Sequence, residues 1–66
     1  VLKTSVMVTL TNGTNANAWG GIYNNPSEST IYVPQALISS YQTANNWSTL
    51  YGRGVTFAKI EGTIYE

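Results

Sequence analysis

Nucleophilic and general acid–base chemistry needs a base in reach of the reacting atom, most often histidine, and this 66-residue chain contains none. Cysteine is absent as well, and so is aspartate: the acids are Glu28, Glu61 and Glu66. A glycosidase-like pair of carboxylates would have to come from those three, two of which fall at the C-terminal fringe. Thiolate and imidazole metal sites are excluded by the same inventory. The string Asn12-Gly13-Thr14-Asn15-Ala16-Asn17 has the spacing of a calcium loop but none of its carboxylates, so it would hold a hard cation poorly. The cations are Lys3, Arg53 and Lys59, which balance the acids to a formal charge of zero. Neutralising phosphates therefore has almost nothing to draw on, and neither nucleic acid nor an anionic membrane is an expected partner. Catalytic, metal-binding and cofactor-binding residues are thus expected to be absent. The groups left to act are aromatic rings and amides.

Three aromatics are candidate contacts. Trp19, Tyr23 and Tyr32 could form an exposed stacking platform for a sugar ring or a protein partner, with asparagine amides around them. The competing reading makes Trp19, with Ile22, an apolar anchor that pins a long loop to the core, because large apolar groups are scarce in that stretch. Asn12-Gly13-Thr14 and Asn46-Trp47-Ser48 both match the N-glycosylation pattern, which is frequent by chance in a chain this rich in asparagine. Gly52-Arg53-Gly54 reads as a turn.

These residues must be positioned by a thin core, since a chain of this length buries only roughly 60% of its unfolded surface and no disulfide is available. At 42% hydrophobic residues the chain is nevertheless too apolar for a disordered tail. In residues 5–10, Val6, Val8 and Leu10 alternate with Ser5, Met7 and Thr9, the period of a half-buried strand. Residues 11–29 read as a long irregular connection with five asparagines and a helical turn at Asn17 to Trp19. Thr30 to Val33 is a second strand, ended by Pro34, whose ring also suits the first turn of a helix. Leu37, Tyr41 and Ala44 share one helical stripe, and the phase fails after Ala44. The pattern predicts a helix over 34–44, a bend at Asn45-Asn46, and a short helix over 47–51 whose Trp47, Leu50 and Tyr51 face inward. Residues 55–60 form the last strand. Val55, Phe57 and Lys59 lie on one side of it. The expected class is α+β: a small βαβ-type unit with about three short strands and one bent helix in two segments, forming a single domain.

The block from Ile31-Tyr32-Val33-Pro34 through Leu37, Ile38 and Tyr41 to Asn46-Trp47-Ser48-Thr49-Leu50-Tyr51 resembles the closing segment of BspA-type leucine-rich-repeat proteins of bacterial surfaces, and related phage structural proteins. Val6-x-Val8-x-Leu10-x-Asn12 is similar to the strand signature of one such repeat, and Asn17-Ala18-Trp19 stands where the family often has Asn-Ala-Phe. Leu50 departs from the pattern by adding one residue before Tyr51. The resemblance covers about half of the chain. It implies a C-terminal cap: repeats cannot bury their end faces alone, and a helical lid over the last rung does so.

The expected function is accordingly non-enzymatic, a structural or interaction module at the end of a longer, surface-exposed or virion-borne repeat protein that serves adhesion or assembly. Its partners would be the upstream repeats of the same chain and a host-surface protein or glycan. A small carbohydrate- or receptor-binding module using the exposed aromatics is the alternative, and a fragment of an enzyme whose chemistry lies elsewhere is the third.

Overall fold

The computed structural model describes residues 1–12 and 21–66. Two four-residue strands, β1 (Thr30–Val33) and β2 (Thr56–Lys59), pair in parallel with Thr30 opposite Thr56 and Val33 opposite Lys59. Main-chain bonds from Thr56 N–H to the Ser29 carbonyl (3.0 Å) and from Ile60 N–H to the Val33 carbonyl (2.9 Å) carry the ladder one residue past each end. Parallel strands need a long connection. Here it consists of a 3₁₀ turn (Gln35–Leu37), then helix α2 (Ile38–Thr43) and helix α3 (Trp47–Gly52), with helix α1 (Gly21–Asn24) and a 3₁₀ turn (Pro26–Glu28) preceding β1.

Local chemistry sets these boundaries. Pro34 has an extended ψ of 136° and cannot donate to the ladder, so β1 stops there. The first helical N–H, on Gln35, is met from across the sheet by both carboxylate oxygens of Glu61 (2.9 and 3.1 Å). Ala44 leaves α2 in an extended conformation, and Asn46 turns the chain into α3 at a φ of +67°. At the other end of α3, Gly54 N–H bonds the Tyr51 carbonyl and Val55 N–H bonds the Leu50 carbonyl, with Gly54 at a φ of +111°. That is a Schellman motif, and its usual apolar pair is present: Leu50 and Val55 are both buried.

The period-2 pattern of the sheet places Ile31, Val33 and Phe57 under the helices, where they pack with Tyr41, Trp47, Leu50 and Val55 in one cluster. Its centre is aromatic. The Tyr41 and Phe57 rings lie 5.9 Å apart and nearly parallel, while Trp47 meets Tyr41 edge-on at 5.1 Å and Phe57 at 6.1 Å.

Four expectations are corrected. Residues 5–10 form no strand, so among the described residues the sheet has two strands rather than three. The helix expected over 34–44 is a 3₁₀ turn followed by six α-helical residues. Tyr51 does not face inward; it is 46% exposed and only touches the rim of Phe57, with ring centroids 6.2 Å apart. Trp47 and Leu50, the other two residues of that set, are buried. Lys59 stands beside buried Val33 in the register yet is exposed, and Ile60, one residue beyond β2, is buried. Residues 61–65 form turns rather than a continued strand, with the Thr63 hydroxyl donating to the Ile60 carbonyl at 2.7 Å.

Candidate interaction surface

Helices α2 and α3 meet at a bend, and three polar side chains from that bend converge on the main chain of residues 8–10. Val8 N–H donates to the Tyr41 hydroxyl (3.0 Å), and the Trp47 indole Nε1–H donates to the Val8 carbonyl (2.7 Å). Asn46 Nδ2 donates to the Leu10 carbonyl. Tyr41 is fully buried and Trp47 is 5% exposed, so their polar atoms need partners inside the fold, and the N-terminal segment supplies them. Every contact is to backbone atoms of alternate residues. The polar contacts thus hold the segment by its main chain, while the Met7, Val8 and Leu10 side chains pack against the core.

A second attachment lies farther along the same segment. Leu2 N–H donates to the Tyr32 carbonyl (2.9 Å). Since the Ser29 and Val33 carbonyls point to β2, the alternation of a strand turns Tyr32 to the outer edge of β1. Between the segment and the helices remains a half-open cavity of about 220 Å³, with Met7, Val8 and Leu10 on one wall and Ala44, Asn45 and Trp47 on the other.

Of the three candidate contact residues, Tyr32 alone has a described side chain. Tyr32 is half-buried, and its ring packs against Tyr65 at 4.8 Å and 40°. Trp19 and the helical turn expected at Asn17 to Trp19 lie outside the described residues, as does the Tyr23 side chain, although its backbone belongs to α1. Ile22 packs against the core, in line with its role as an anchor. The Asn46 amide is committed to Leu10, so glycosylation of Asn46-Trp47-Ser48 would break the bend. Gly52-Arg53-Gly54 closes α3, as a turn. Among the described residues no three of histidine, cysteine, aspartate and glutamate gather as a metal site, and no helix is long and apolar enough to cross a membrane.

Sequence reasoning finds Tyr41 and Trp47 as core residues but misses that their polar atoms hold residues 8–10. A tyrosine hydroxyl and an indole N–H want partners when buried, and that is the signal the sequence offers. No family model, curated protein or solved structure matches the chain.

Proposed function

We propose that this chain is a non-enzymatic structural module, the βαβ-type terminal cap of a leucine-rich-repeat-like bacterial cell-surface or virion protein that serves adhesion or assembly. The observation that carries the reading is the lid itself: α2 and α3 cover one face of β1 and β2, and Trp47 is buried beneath them rather than turned to water. An end unit needs such a lid because the last rung of a solenoid has no successor to bury its apolar face. The two sheet edges differ in a way that suits this role. The outer edge of β1 already accepts a main-chain bond from Leu2, as an edge that adjoins upstream chain would. The far edge belongs to β2, which is four residues long and carries exposed Lys59, a usual means of discouraging further pairing.

The test grafts the 66 residues onto the last rung of a leucine-rich-repeat array of this class. The capped array is expected to melt several degrees above the same array without it and to stay monodisperse, with Trp47→Ala abolishing the gain. Equal melting of capped and bare arrays would refute the cap.

A further inference from the structure

We propose that Met7 is a reversible oxidation site: peroxide converts its thioether to the sulfoxide, and the sulfoxide loosens residues 7–10 from the bend between α2 and α3. Met7 is the only methionine of a chain without cysteine, so it is the one sulfur an oxidant can meet. It is half-buried, packs against the rim of the core, and stands on the wall of the half-open cavity of about 220 Å³. That space holds more than one water-sized molecule, so a peroxide can enter from the open side.

The step balances with peroxide as the only co-reactant. The sulfur attacks one peroxide oxygen, an S–O bond forms, the O–O bond breaks, and the other oxygen leaves as water; one electron pair passes from sulfur to peroxide. An apolar side chain is thereby made polar in place. Its chain neighbour Val8 is held at both main-chain groups, by the Tyr41 hydroxyl at 3.0 Å and the Trp47 indole at 2.7 Å. A sulfoxide oxygen is a strong acceptor, and the facing wall carries Trp47, whose indole N–H already serves the Val8 carbonyl. The oxygen either draws that donor away from Val8 or turns toward solvent beside exposed Thr9 and Asn45, which takes Met7 off the core. Either change removes part of what holds the segment. The bonds of Leu10 with Asn46 and of Leu2 with Tyr32 flank this point and do not replace it. The oxidation site stands whether or not the chain caps a repeat array.

Dilute hydrogen peroxide applied to the full chain tests this, with mass spectrometry locating the added oxygen and NMR amide exchange of Val8 reading the segment. Met7 is expected to oxidise within about tenfold of the rate of free methionine, and Val8 exchange to quicken at least about tenfold once the oxygen is added. A thiol-driven methionine sulfoxide reductase is expected to restore the original exchange. Met7→Leu, of similar volume, is expected to keep slow exchange through the same treatment. Should Met7→Leu fail to fold, reversal by the reductase decides alone, because that enzyme acts on methionine sulfoxide and the chain has one methionine. The proposal is overturned by slower oxidation than that, by a sulfoxide chain whose Val8 exchanges at the original rate, by exchange that the reductase leaves fast, or by a folded Met7→Leu chain that responds alike.

Discussion

Asn46 carries two demands at once, and they can be separated. Its φ of +67° is a conformation that residues with a Cβ adopt at a cost, and asparagine is among the side chains that tolerate it best. Its amide does not cap α3, although it stands at the N-cap; it reaches Leu10 instead. Asn46→Gly should lose only the Leu10 bond, about 1 kcal/mol, whereas Asn46→Ala loses the bond and adds backbone strain of about 1 kcal/mol more. Urea unfolding checks the order: the glycine variant is expected to be the more stable, although it removes more atoms. Trp47 is separable in the same manner. Trp47→Phe keeps most of the ring contact with Tyr41 and Phe57 but leaves the Val8 carbonyl without its indole donor, an expected loss of about 1–3 kcal/mol plus the volume difference. Methylation of the indole nitrogen by semisynthesis should cost at least as much. No effect there would mean that water serves the carbonyl equally well.

The helices show what can be read from local pattern and what cannot. Loss of the apolar phase after Ala44 announces the bend, and the bend is where Ala44 goes extended and Asn46 goes left-handed. Gly52-Arg53-Gly54 announces the stop, and Gly54 takes the positive φ of the Schellman turn. Gly54 also lies against the Pro26–Glu28 turn: a Cβ there would meet Ser27 Cα at 3.2 Å. Gly62 has a φ of +82° in open space. Gly62→Ala should therefore cost only the strain, about 1 kcal/mol, and Gly54→Ala clearly more, because the Ser27 backbone has to move as well. Thermal melts of the two variants compare them directly. Equal losses would show that the turn before β1 is free to give way. In residues 5–10 the pattern misleads, because alternation reports only which side chains are apolar. A strand also needs a neighbouring main chain, and this one meets side-chain donors and acceptors from α2, α3 and the bend between them, which no period encodes. Tyr51 misleads for a related reason: i, i+3, i+4 spacing puts it beside Leu50, but six residues of helix bury one narrow face, and Trp47 and Leu50 fill it.

The whole molecule is three layers deep only if the N-terminal segment is counted. Without it, the sheet and two short helices would leave the Tyr41 hydroxyl, the Trp47 indole and the Asn46 amide facing an open cleft, with Leu2, Met7, Val8 and Leu10 gone from the rim of the core. The magnitudes decide how much stability depends on that layer. Four main-chain hydrogen bonds, each worth about 1 kcal/mol, and four part-buried apolar side chains compare with a total stability of about 5 kcal/mol at the low end for small domains. Removal of residues 1–10 is therefore expected to abolish cooperative unfolding rather than to trim it. A Trp19→Phe background isolates the emission of Trp47, and its position reports the clamp directly. In the full-length chain the emission should be that of a buried indole and should change in one sharp urea transition; in the shortened chain it should lie near that of indole in water, with a transition that is shallow or missing. The outcome fixes how the segment relates to the lid. A shortened chain that still unfolds sharply, with Trp47 still shielded, would make residues 1–10 an appendage laid on a finished fold. Loss of the transition would make them the third layer of the core, held there by main-chain bonds and by the Leu2, Met7, Val8 and Leu10 side chains together.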